Sequence, residues 1–180
     1  MSRQPLLLNG ETCFITFTTT AWIDVFTRPI YRHVMLDSIK HCQEKKGLLL
    51  YAWVLMSNHI HMIAGADKGN ALNNIIRDMK KFTSQEIRNT IINEPESRKH
   101  WMLNLMRLRG KTHPKKIEYK FWKDNYDCIE LFTSDFFEQK LNYIHDNPVR
   151  AEIVEEPHHY LYSSARNYAG MPVLLDVIIA

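Results

Sequence analysis

The chain is expected to fold as an α+β unit of ferredoxin-like type, an antiparallel βαββαβ sheet with two helices on one face. Three observations predict it. Residues 12–19 are β-branched and aromatic, the composition of a strand. Two apolar runs, 48–56 and 59–64, are joined at Ser57 and Asn58, the pattern of a β-hairpin. Helical apolar stripes lie on either side of that hairpin, and a short strand is expected at about 126–132. Strand, helix, hairpin, helix, strand is the βαββαβ order.

Each element has its own local signal. After the first strand, a connection holding Trp22, Asp24 and Phe26 leads to Pro29, which suits the first turn of a helix. Ile30, Val34, Met35, Ile39 and Cys42 keep helical spacing, and Gly47 stands where that helix should stop. In the hairpin, alternation puts His59 and His61 on one face and Ile60, Met62 and Ala64 on the other, toward the helices. The second helix follows the polar turn at 67–70, with Leu72, Ile75, Ile76, Met79, Phe82 and Ile87 as its stripe, and ends near Asn93. Residues 98–123, punctuated by Gly110 and Pro114, are expected to be a long loop with one helical turn near 101–108. A further helix should start with Ser134 as N-cap, bury Phe137, Leu141 and Ile144, and end at or just before Asn147, because Pro148 disfavours helix in the residue ahead of it. The remainder, 149–180, is expected to be a tail of short elements.

With 180 residues, 45% of them hydrophobic and 24% charged, the chain suits one globular unit with a substantial core. No apolar stretch approaches membrane-spanning length and no signal-peptide pattern opens the chain. Cys13, Cys42 and Cys128 are odd in number and widely spaced, as in a reduced protein. Together these predict a cytoplasmic location without a membrane partner.

Charge is uneven. The net charge is +3, yet residues 98–123 hold nine Lys or Arg against one acid, Glu118. That segment carries +8 and the remainder −5, and Trp101, Tyr119, Phe121 and Trp122 are interleaved with its cations. Cations for phosphates and rings for bases suit single-stranded nucleic acid; a solvated loop anchored by aromatics has the same composition.

Two stretches carry the chemistry. His59 and His61 lie about 7 Å apart along one strand face, a spacing that can serve one metal ion and also that of two unrelated surface histidines. Tyr143 and Asn147, four apart, share one side of a helix. A phenolate is a competent nucleophile toward phosphorus, and an amide oxygen can join two imidazoles around a divalent ion.

His59-Ile60-His61 after an apolar strand, with Tyr143 inside Leu-Asn-Tyr-Ile-His-Asp-Asn-Pro-Val-Arg, resembles the single-tyrosine HUH transposases, and among them the REP-associated tyrosine transposases. Phe121-Trp122-Lys123 and Tyr160-Leu161-Tyr162-Ser163-Ser164-Ala165-Arg166 resemble the same group. The resemblance implies one catalytic unit over 1–180, its core at about 12–148 and its tail at 149–180. It implies nicking and rejoining of single-stranded DNA beside short hairpins, with His59, His61 and Asn147 on magnesium or manganese and Tyr143 forming a 5′-phosphotyrosine. DNA contacts are expected from Lys115, Lys116, Lys120, Trp122, Lys123 and Arg166. One departure stands out: Ala21 occupies the position ahead of Trp-Ile-Asp where some members carry an acid, leaving Asp24 or Glu11 as unassigned substitutes. His145 is expected to point away from the tyrosine. Monomer and homodimer both remain open, as does a catalytically silent nucleic-acid-binding module on the same fold.

Overall fold

The computed structural model describes residues 12–124 and 126–180; the expected lead-in of residues 1–11, with Glu11, lies outside them. Strand β1 (Cys13–Thr18) leads through two 3-10 turns, Thr20–Trp22 and Val25–Thr27, into helix α1 (Pro29–Lys46). The hairpin β2 (Leu48–Leu55) and β3 (His59–Ala66) follows, then α2 (Leu72–Asn93), α3 (Lys99–Lys111), β4 (Asp127–Glu130) and α4 (Ser134–Arg150). A 3-10 turn, Pro157–His159, and a short helix α5 (Ala165–Tyr168) complete the order. The sheet is antiparallel with strand order β2-β3-β1-β4, the ferredoxin-like arrangement expected, with one helix added.

Register decides which side chains share a face. Thr16 pairs with His61 and Thr18 with His59, while Ile15 pairs with Met62 and Phe17 with Ile60. Cross-strand partners point the same way, so the first set forms one face and the second the other. Phe17 meets Trp122, whose indole N–H donates to Thr83 of α2 at 3.0 Å; this is the helix-covered core. On the opposite face α4 lies across the sheet, with Phe137 against Tyr51 and Tyr143 against Phe14. Phe137, Leu141 and Ile144 are buried there as expected, worth about 1.5–3 kcal/mol each.

Helix α1 starts at Pro29 and stops at Gly47, whose left-handed φ of 72° closes it. A Cβ at Gly47 would also collide with the Asp67 carboxylate. The basic segment differs from expectation. It contains α3, a helix of 13 residues, because Met102, Met106 and Gly110 make a buried stripe at four-residue spacing. Gly110 is therefore not a break; a Cβ there would strike the Ile117 carbonyl oxygen, so glycine permits that close approach. In α2 the buried position is Thr83, and Phe82 is 52% exposed; Thr83 is drawn inward by its bond from Trp122.

Two corrections concern α4. Thr133, not Ser134, is its N-cap, accepting from the Phe136 N–H at 3.2 Å. The helix also runs past Asn147 to Arg150 with Pro148 inside it. The last turn survives because the Asn147 and Pro148 carbonyls accept from the Ala151 and Ile153 N–H groups at 3.0 and 2.9 Å. Asn147 thus stays helical, on the same side as Tyr143.

The tail is tied to the outer edge of β2. Leu55 N–H donates to the Tyr162 carbonyl, Ser164 N–H to that of Trp53 and Ile178 N–H to that of Leu50, at 2.8–2.9 Å. These bonds occupy an edge that would otherwise invite pairing with another chain.

Candidate active site

His61 sits in mid-strand and is 6% exposed. Its Nδ1 lies 2.8 Å from Thr16 Oγ1, its cross-strand partner. In the tautomer that donates Nδ1–H to Thr16, Nε2 keeps its lone pair. Burial, then the neighbouring His59 and Lys140, pushes its pKa down to about 3, so the ring is neutral at physiological pH.

A chain of hydrogen bonds orients His59. Asn58 Nδ2 donates to the Asp24 carboxylate at 3.1 Å, and Ser57 donates to the same oxygen at 2.6 Å. A carboxylate only accepts, so Asn58 must turn its amide nitrogen to Asp24 and its Oδ1 toward His59, 2.8 Å from Nδ1. His59 Nδ1 therefore carries the proton and Nε2 the lone pair. Burial lowers the His59 pKa, partly offset by a side-chain hydrogen bond with Asn147. The two imidazole rings stand 4.8 Å apart, centre to centre. Asp24, one of the unassigned acids, thus acts through Asn58 on the histidine.

Helix α4 completes the group. The Tyr143 ring lies 5.3 Å from the His61 ring and 5.8 Å from Phe14, and the residue is 38% exposed, open to a substrate. Lys140 Nζ and the Arg150 guanidinium each lie 5.9 Å from the centre of its ring. Sequence reasoning missed both cations, although their offsets of −3 and +7 from Tyr143 place them on its helical face. His145 is turned away, as expected: it is bonded to Ser164 Oγ at 2.9 Å, and burial pushes its pKa down to about 4.

The candidate donor set is two neutral imidazoles and the Asn147 amide. Among the described residues no three His, Cys, Asp or Glu side chains form a metal-binding group. The mixed set still fits a divalent ion that fills its shell with water and phosphate oxygens, and each histidine has the partner on Nδ1 that ligating histidines need.

The expected DNA contacts separate into two groups. Lys115 and Lys116 are exposed on the loop after α3. Lys120 pairs with Asp124, Lys123 lies over the Trp22 ring, and Arg166 donates to the Pro172 carbonyl. Trp122 is corrected to a core residue: it is 5% exposed and packed on Phe17, Phe26 and Phe121, so its ring has no face to offer a base.

Comparison with known proteins bears on the family and the fold. The family model described as "Transposase IS200 like" matches residues 13–106, which include both histidines but not Tyr143. The structure is similar to that of a REP-associated tyrosine transposase bound to a REP hairpin, with a TM-score of 0.60 and 17% identity over 100% of this chain and 94% of the other. A candidate transposase of Deinococcus radiodurans gives a TM-score of 0.47 and 14% identity over 81% of this chain and 97% of that one. No curated protein matches. Among the described residues no helix is long and apolar enough to cross a membrane. With the family model spanning more than half of its residues, the chain belongs to the IS200-like transposases, enzymes of DNA transposition.

Proposed function

We propose that this transposase nicks and rejoins single-stranded DNA beside short hairpins, with Tyr143 as the nucleophile. The observation that carries the proposal is the position of the Tyr143 ring, 5.3 Å from His61 and on the same face of the sheet. His59, His61 and Asn147 would hold a magnesium or manganese ion. When bound, such an ion supplies positive charge to a non-bridging phosphate oxygen and to the developing transition state.

The chain's own residues do the remainder. Helix α4 holds Tyr143 against Phe14 and His61, which limits the search for an in-line approach. The Tyr143 oxygen bonds to phosphorus, the bond from phosphorus to the 3′ oxygen breaks, and the phenolic proton is lost as the 3′ oxygen gains one. The products are a 5′-phosphotyrosine and a free 3′-hydroxyl. One phosphodiester has been exchanged for another, so the reverse attack rejoins strands without an external energy source. Lys140 and Arg150 flank the phenol and offset the charge of the phosphate that reaches it.

A hairpin-bearing strand is the substrate class favoured by the bound DNA of the REP-associated relative. Lys115 and Lys116 supply exposed charge for its backbone. Such an enzyme works in the cytoplasm, beside the nucleoid. Incubation with hairpin-flanked single strands, followed by sequencing of covalently attached DNA, tests the reading: recovery of strands cut beside a hairpin supports it, and absence of any adduct refutes it.

A further inference from the structure

We infer that Trp22 is the stacking platform for an unpaired base of the DNA strand, a subsite that rests on the single-strand reading above. Three observations converge on it. Trp22 is 57% exposed and Trp101, on α3, is 50% exposed, whereas Trp53 and Trp122 are buried. Ala21 and Trp22 both hold left-handed backbone, φ 50° and 56°, a costly conformation for residues with a Cβ. That backbone is pinned on both sides: Thr20 N–H donates to the Phe121 carbonyl at 2.6 Å, Lys123 N–H donates to the Thr18 carbonyl at 2.9 Å, and Asn58 Nδ2 reaches the Trp22 carbonyl at 3.4 Å. The fold thus spends conformational strain to present an indole to solvent.

The surroundings specify what the indole receives. Trp22 borders a cavity of about 310 Å³ whose charged walls are Arg109, Lys120, Lys123 and Asp124. Lys120 is neutralised by Asp124. Arg109 and Lys123 remain as cations with which no ion pair is formed among the described residues; the Lys123 ammonium lies 3.6 Å from the centre of the Trp22 ring and covers one face of it, so a base would stack on the other. A ring for a base beside cations for its phosphates is the chemistry of single-stranded nucleic acid. A closed duplex offers no free base face, so it does not use the ring.

The subsite also adjoins the candidate chemistry. Asn58 touches the Trp22 carbonyl with its nitrogen and His59 with its oxygen, so one residue separates platform from histidine. A strand whose scissile phosphate lies at His59 and His61 therefore brings a neighbouring unpaired nucleotide to Trp22.

Binding, not cleavage, tests this, so the measurement is made on Tyr143→Phe protein that still carries Trp22. Fluorescence anisotropy compares a short unstructured deoxyoligonucleotide with a blunt-ended hairpin that lacks unpaired flanks and whose loop is a non-nucleotide linker, so that no base is unpaired. Trp22→Ala should weaken the unstructured strand roughly 5- to 100-fold, the loss of one stacked base, and leave the blunt hairpin unchanged. Trp22→Phe should recover most of the loss. A 2-aminopurine placed in the strand should be quenched by protein with Trp22 and not by Trp22→Ala. Equal strand affinity with and without Trp22, equal loss for strand and hairpin, or no binding of the strand at all would overturn the platform. The two readings separate cleanly: binding that depends on Trp22, with no adduct formed by protein that keeps Tyr143, would refute nicking and keep the platform, and an adduct on Tyr143 with unchanged Trp22→Ala affinity would do the reverse.

Discussion

The histidine hairpin and the basic segment 98–123 use polar side chains in opposite ways. In the hairpin, two imidazoles are buried or half-buried, each Nδ1 has one fixed partner, and burial keeps both rings neutral. In the basic segment Arg109, Lys111, Lys115 and Lys116 are exposed, while Arg98 pairs with Glu96 and Lys120 with Asp124. One region builds a geometry; the other supplies charge density, part of it consumed by its own ion pairs. Changes in the hairpin should therefore act in an all-or-none way and be insensitive to salt. Changes in the basic segment should be graded and depend strongly on salt.

The largest expected effect is that of His61→Ala. It removes a proposed ligand from the centre of the sheet and should reduce covalent attachment to labelled single strands below detection, with strand binding retained. Full activity in this variant, or in wild type with excess EDTA, would contradict the metal assignment.

Asn58→Ala should come next. It frees His59 to rotate and to change tautomer, so manganese affinity measured by calorimetry should fall roughly 10- to 100-fold. An unaltered metal affinity would show that the Asp24–Asn58–His59 chain orients nothing.

Acid should separate the two regions by pH. His61 and His145 are neutral in the fold, with pKa values near 3 and 4, and would take up a proton on unfolding below about pH 6.5. Their folded values are depressed, so stability is full above that pH and falls as pH drops toward 4 and then 3. Burial would raise the Glu96 carboxyl, but bonds from Arg98, Tyr31 and Arg28 outweigh it and hold the pKa at about 2. Its contribution is present above about pH 4.5 and lost as pH falls toward 2. Denaturant melts from pH 8 to 4 should show the decline, and His61→Ala should flatten it between pH 6.5 and 4. An identical slope in that variant would mean that His61 is already protonated in the fold.

The smallest effect is expected from Lys115→Ala with Lys116→Ala. The dependence of log affinity on log salt should flatten by roughly one unit per lost phosphate contact. An unchanged slope would make these lysines a solvated loop.

Much of the hairpin was legible from sequence because strand alternation has a period of two, and one look at His59-Ile60-His61 assigns both faces. Gly47 and Pro29 were legible as helix ends because their backbone constraints are local. The basic segment was not. Helix α3 buries only Met102, Met106 and Gly110, too thin a stripe to stand out beside Gly110 and Pro114. Trp122 looked like a stacking residue because composition cannot tell an inward ring from an outward one; Phe17, Phe26 and Thr83 decide it from distant parts of the chain. Asn58 and Asp24 were hidden for the same reason, since their roles exist only once the turn folds back on residue 24. Pro148 misled because the residue ahead of proline is only biased away from helix, and two later N–H groups complete that turn.

Of all the tyrosines, Tyr143 alone should bond to DNA. Mass spectrometry of protein digested after reaction with a hairpin-flanked single strand and manganese tests it most directly. One modified peptide is expected, carrying a 5′-phosphotyrosyl nucleotide on Tyr143, and no adduct in Tyr143→Phe protein that folds and binds the strand normally. DNA on Tyr160, Tyr162 or Tyr168, or an adduct that persists in Tyr143→Phe, would contradict it.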